Sequence, residues 1–126
     1  MRTLLATVAI APLLFAPLAA ADISGVWALE FQRTAGSEVY QGDCTVKQEG
    51  ERLSGSCLSG FESLVPVTGS VKGTAVTFQF RTGIGEGATA TFSGQLDKQE
   101  TSITGTWRFV DQQGNKGEGN FTATKR

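Results

Sequence analysis

The chain has 126 residues, with 11 Lys and Arg against 12 Asp and Glu, two cysteines and no histidine. A net charge of −1 leaves no electrostatic footprint for nucleic acid or an anionic membrane. The missing imidazole removes Ser-His-Asp and Cys-His catalysis and the usual zinc sites, and the length sets a ceiling of one domain.

Residues 1–21 read as a secretory signal peptide. Met1-Arg2 is a short positive start, Thr3 to Ala19 is almost wholly apolar, and Ala19-Ala20-Ala21 supplies a small-x-small cleavage pattern. The apolar run approaches membrane-spanning length. Pro12, Pro17 and the lack of a basic stop-transfer flank favour cleavage after Ala20 or Ala21. No cysteine follows the cleavage point to carry a lipid. The expected product is a single domain, 22–126, released into the periplasm or outside the cell, where disulfides persist.

From residue 22 onward the apolar residues alternate with period two, and no stretch keeps a helical period over three turns. Glycine supplies 16 of these 105 residues, about 15% against a usual ~7%. The first strand puts Ile23, Gly25, Trp27, Leu29 and Phe31 on one face. The second offers Tyr40, Gly42, Cys44 and Val46, and the third Leu53, Gly55 and Cys57. Val67, Gly69 and Val71 follow, then Val76, Phe78 and Phe80. The sixth strand gives Ala88, Ala90, Phe92, Gly94 and Leu96, and the seventh Ile103, Gly105, Trp107 and Phe109. Gly119, Phe121 and Ala123 close the series. Eight short strands joined by short turns predict an all-β, antiparallel up-and-down barrel, which removes exposed sheet edges. A sandwich is the alternative, but sequential hairpins fit a meander better. The opposite face is Ser, Thr, Gln, Lys and Glu, which argues against an outer-membrane barrel.

Turn chemistry predicts register. Glu49-Gly50-Glu51-Arg52 has glycine where a two-residue type II′ turn requires it. That register pairs residues whose numbers add to 101, and Cys44 and Cys57 meet this condition. The alternation makes them a non-hydrogen-bonded pair, with Cα atoms about 4.5 Å apart, within disulfide reach. Glu49 and Arg52 should pair across the turn, with little effect on stability. Lys72-Gly73-Thr74-Ala75 repeats the logic and sets Gly69 opposite Phe78, an aromatic ring covering a bare glycine.

The pattern apolar-[Ser/Thr]-Gly-x-apolar occurs five times, beginning at Ile23, Leu53, Val67, Phe92 and Ile103. Its glycines at 25, 55, 69, 94 and 105 face inward. They either make room for neighbouring rings or leave a ligand cavity, since an eight-stranded barrel can do both. Gly42, Gly60, Gly117 and Gly119 lie in or beside strands and suggest bulges or bends. If a cavity exists, Trp27, Phe31, Tyr40, Phe78, Phe80, Phe92, Trp107, Phe109 and Phe121 line it, and the ligand is apolar or aromatic. Tyr40 and Gln48 are the polar residues in that phase, with Arg33, Asp111 and Lys125 at strand ends, which leaves room for at most one polar group at the mouth. The alternative is that the same residues simply form the core. Gly83-Ile-Gly85-Glu-Gly87 precedes a strand and lacks the Lys-Ser/Thr of a phosphate-binding loop, so it reads as a hairpin loop. Glu30, Glu38, Asp43, Glu62, Glu86 and Asp97 read as solvated charges.

Gly25-x-Trp27 on the first strand, with Lys125 and Arg126 after the last, resembles the calycin superfamily of lipocalin-type barrels. That resemblance implies that Trp27 packs under Lys125 or Arg126 and closes one end. Ile23-Ser-Gly-x-Trp27, Cys44 and Leu53-x-Gly-x-Cys57-Leu58 are also similar to secreted bacterial inhibitors of serralysin-type metalloproteases. Those are eight-stranded barrels whose N-terminal tail enters the protease cleft, whereas here only Asp22, with Ala21, would precede the first strand. The expectation is an exported, monomeric, calycin-like binding barrel for a small apolar ligand, without cofactor, metal or catalytic residues. The alternative is a protease inhibitor acting through its N-terminus or a loop.

Overall fold

The structure, a computed structural model, describes residues 21–59, 63–81 and 88–126. The signal-peptide residues 1–20, Gly60, Glu62 and the glycine loop at 83–87 lie outside the described residues. Eight strands follow in order: β1 (Gly25–Arg33), β2 (Val39–Glu49), β3 (Arg52–Ser59), β4 (Ser63–Lys72), β5 (Ala75–Arg81), β6 (Thr89–Leu96), β7 (Ser102–Val110) and β8 (Lys116–Lys125). Each pairs antiparallel with the next and β8 returns to β1, so the sheet closes into an up-and-down barrel. Closure leaves no backbone edge open to another chain. The period-two pattern explains the layering. Along β5, Val76, Phe78 and Phe80 are buried while Ala75, Thr77, Gln79 and Arg81 are exposed.

The connections define two ends. At the lower end lie the tight β2–β3 and β4–β5 turns, the 97–101 loop, residues 21–24 and the C-terminus. At the upper end lie residues 34–38, the 111–115 loop and the strand ends at Ser59, Ser63, Arg81 and Thr89. Gly50 and Gly73 adopt φ of 63° and 62° at the first central turn position, and no positive φ follows at Glu51 or Thr74. This is the II′ pattern, whose twist matches that of the flanking strands. It aligns Cys44 with Cys57 and Gly69 with Phe78. The cysteines are bonded, with Cα atoms 4.0 Å apart. Such a bond belongs to an oxidising compartment. Glu49 does not reach Arg52; its carboxylate meets Lys47, two residues back on the same strand face, at 3.0 Å. Both partners are exposed, so the pair adds little.

At the 97–101 loop, the Thr101 backbone N–H at 2.8 Å leads the hydrogen bonds that hold the Asp97 carboxyl below its ordinary value. At the 111–115 loop Asp111 is lowered the same way, chiefly by the Asn115 side-chain amide at 2.8 Å.

The inward glycines make room for the neighbouring strand's backbone, as at Gly55, Gly105 and Gly119, and at some positions also for aromatic rings. A Cβ on Gly94 would stand 2.9 Å from the end of the Phe121 ring, and one on Gly117 would overlap the Phe109 ring. A Cβ on Gly119 would lie 2.9 Å from Trp107 Nε1. Gly42, Gly117 and Gly119 are not bulges, because pairing runs through them unbroken. Gly94 and Gly105 face each other across β6 and β7. There a Cβ on Gly105 would come within 2.5 Å of Gly94 Cα.

Two expectations follow. Reducing the Cys44–Cys57 bond should release two thiols absent from the oxidised unfolded chain, and should lower stability in urea by roughly 2–3 kcal/mol. Gly105→Ala should lose at least about 2 kcal/mol through backbone overpacking. Gly36→Ala, whose Cβ would meet its nearest neighbour only at 3.9 Å, should stay within about 0.5 kcal/mol of the parent. Equal urea midpoints for the two variants would contradict the close-approach account.

Candidate functional site

The lower end is sealed by residues 21–24. Ile23 is 2% exposed and covers the barrel mouth there. Its N–H donates to Gln48 Oε1 at 2.9 Å and its carbonyl accepts the Trp27 indole N–H at 2.8 Å. Ser24 Oγ accepts the Gln48 backbone N–H at 2.9 Å. The segment that the inhibitor resemblance treats as a protruding tail is thus held by the barrel from Ile23 onward. Lys125 is the cross-strand partner of Trp27, and its Cε lies 3.5 Å from where a Cβ on Gly25 would stand. Arg126 turns outward and pairs with Asp43 at 3.0 Å.

Above Trp27 the interior is a column of rings. Phe92 is fully buried at its centre, stacked on Phe78 at 4.8 Å and Phe80 at 5.1 Å between ring centroids. Phe31 and Phe121 meet it edge-on at 5.3 and 5.2 Å. Offset stacks and edge contacts are the favourable aromatic geometries. Among the described residues a void of about 20 Å³ lies next to Trp27, Cys44 and Phe78, bounded wholly by apolar atoms. A space this small and apolar stays dry and holds no organic molecule. Of the nine residues expected to line a cavity, Trp27, Phe31, Phe78, Phe80, Phe92, Trp107, Phe109 and Phe121 are buried in the core, and Tyr40 is half-buried against it. Phe31, Tyr40 and Phe109 carry the column to the upper rim.

The rim is where the site has polar groups. Tyr40 stacks on Phe31 at 5.1 Å, and its hydroxyl donates to Glu38 at 2.7 Å. That bond to a carboxylate raises the phenol above its ordinary value by holding the proton. Arg33 ends β1 in the inward phase, with its guanidinium carbon 5.0 Å above the Phe109 ring. Phe109 stacks in turn on Trp107 at 6.0 Å. The Arg33 Nε–H is buried and has no partner among the described residues. Beside it lies an open recess of about 570 Å³, lined by Arg33, Thr34, Phe109, Val110, Lys116 and Glu118, with Arg108 at its border. The period-two pattern placed Arg33 and Tyr40 on the inward face. It could not show the Arg33–Phe109 stack or the Glu38–Tyr40 bond, which depend on strand curvature and loop path.

Comparison with known proteins gives a fold and no family. No protein-family model matches the chain, and no curated protein matches it. Among solved structures the chain is similar to a redesigned β-barrel, mFAP0, determined bound to DFHBI. The TM-score is 0.51 at 16% identity, covering 82% of this chain and 98% of that one. The molecule is therefore a closed eight-stranded β-barrel with a buried aromatic core, and at this identity the likeness is one of fold alone.

An orphaned buried N–H costs about 1–3 kcal/mol, whereas a cation over a ring returns about 0.5–1 kcal/mol at a partly exposed position. Arg33→Met, which keeps the stem over Phe109, should therefore leave stability in urea unchanged or raise it by up to about 1 kcal/mol. A loss above about 2 kcal/mol would make Arg33 a structural residue.

Proposed function

We propose that this chain is an exported binding barrel that takes a small apolar or aromatic molecule at its upper rim, without turning it over. The observation that carries the reading is the difference between the two ends. Three hydrogen bonds hold the lower end shut: Ile23 N–H to Gln48 Oε1, the Trp27 indole N–H to the Ile23 carbonyl, and the Gln48 backbone N–H to Ser24 Oγ. At the upper end the aromatic column comes to the rim at Phe31 under a half-buried Tyr40, next to an open recess. A planar molecule would replace or join Tyr40 on Phe31, so that only rim side chains move. The void below is too small for it. The similar barrel that carries DFHBI supports a small-molecule role for this architecture. The disulfide supports export, and a chain without histidine is suited to binding more than to acid–base chemistry.

The test is a fluorescence titration with 1-anilinonaphthalene, a neutral aromatic probe. Saturable enhancement at about one probe per chain is expected, with Tyr40→Ala weakening it roughly tenfold through loss of the stack. A linear, unsaturable response would contradict the proposal.

A further inference from the structure

We propose that the recess beside Arg33 is an anion site, and that the molecule taken at this rim is an organic monoanion: a carboxylate or sulfonate head on an apolar body. This deepens the small-molecule reading and rests on it. Arg33 is the inward-facing residue nearest the rim on β1, and its guanidinium carbon lies 5.0 Å over the Phe109 ring. A guanidinium over a ring face spends none of its N–H groups there, and a planar oxyanion can be gripped by the Nε–H and a neighbouring Nη–H together.

Three observations point to an external acceptor. The Nε–H is buried and unpartnered among the described residues, an unusual state for the most strongly charged type of donor. Glu38 is the nearby rim carboxylate in sequence, and it is engaged by the Tyr40 hydroxyl at 2.7 Å. Glu118 lines the same recess without forming an ion pair with Arg33. The recess therefore gathers Arg33, Arg108 and Lys116 around one carboxylate, so its local charge is positive although the chain's net charge is −1. Its floor is apolar: Phe109 is buried beneath Arg33, and Val110 is 52% exposed at the edge. Cation above and ring below is the arrangement an amphiphilic acid fits. Its head would draw the guanidinium edge outward and give the Nε–H the acceptor it lacks.

The experiment compares two probes that share one aromatic frame, 1-anilinonaphthalene and 1-anilinonaphthalene-8-sulfonate. Both are titrated into the oxidised protein, into Arg33→Gln and into Arg108→Gln, with folding verified by circular dichroism. The expected result is that the sulfonate binds the parent about tenfold more tightly than the neutral probe. Arg33→Gln should abolish that preference while leaving neutral-probe affinity within about twofold, and Arg108→Gln should retain most of it. If Arg33→Gln does not fold, raising the salt concentration on the parent takes its place, and the preference should shrink while neutral binding holds. Equal affinity of the two probes for the parent would overturn the anion site and leave the small-molecule reading standing. So would a preference that survives in Arg33→Gln, or that disappears only in Arg108→Gln. Failure of both probes to bind would overturn the reading on which the inference rests, and the inference with it.

Discussion

The close approach of aromatic rings to bare inward glycines is the contact on which this barrel depends. An eight-stranded barrel has an interior just wide enough for side chains to fill it. With six phenylalanines and two tryptophans buried among the described residues, filling it requires backbone positions where a ring can lie without meeting a Cβ. Gly94 receives Phe121, Gly117 receives Phe109, and Gly119 receives the Trp107 indole. Facing glycines at 94 and 105 let β6 and β7 approach more closely than any residue with a side chain would allow. The high glycine content is thus the counterpart of the ring content.

That packing is the ground for placing the proposed ligand site at the upper rim. Among the described residues, rings stacked from Phe78 through Phe92 to Trp107 leave a void of about 20 Å³, so they pack as a core. The lower end is occupied by Ile23 and tied to Gln48. What remains is the upper rim, where the column ends in residues that are partly exposed or incompletely satisfied: Tyr40 and Arg33. In the proposed reading, packing and recognition divide the barrel along its axis, and the aromatic column connects them.

Much of the fold was legible in the residues because it depends on short-range rules. Period-two alternation is local, and it placed every inward residue of β5, β6 and β7. A type II′ turn converts a Gly50 or Gly73 position into a register, which is why the Cys44–Cys57 bond and the Gly69–Phe78 pair could be read without coordinates. The errors have an equally physical origin. Glu49 and Arg52 are cross-strand neighbours, yet Lys47 on the same strand face offered Glu49 a closer partner. Gly42, Gly117 and Gly119 suggested bulges because a glycine in a strand has two uses, and only the packing distinguishes them. The rim was the least legible part. Arg33 reaches Phe109 from a strand far away in the chain, through a closure between β1 and β8 whose curvature no local pattern encodes.

The axial division is tested most directly by the two indole N–H resonances. Trp27 lies at the sealed lower end and donates to Ile23, whereas Trp107 lies in the ring layer below the rim, against Phe31 and Phe109. A two-dimensional ¹⁵N–¹H titration with 1-anilinonaphthalene should move the Trp107 indole resonance saturably and leave that of Trp27 in place. A saturable shift at Trp27 with none at Trp107 would place binding at the other end and contradict the account.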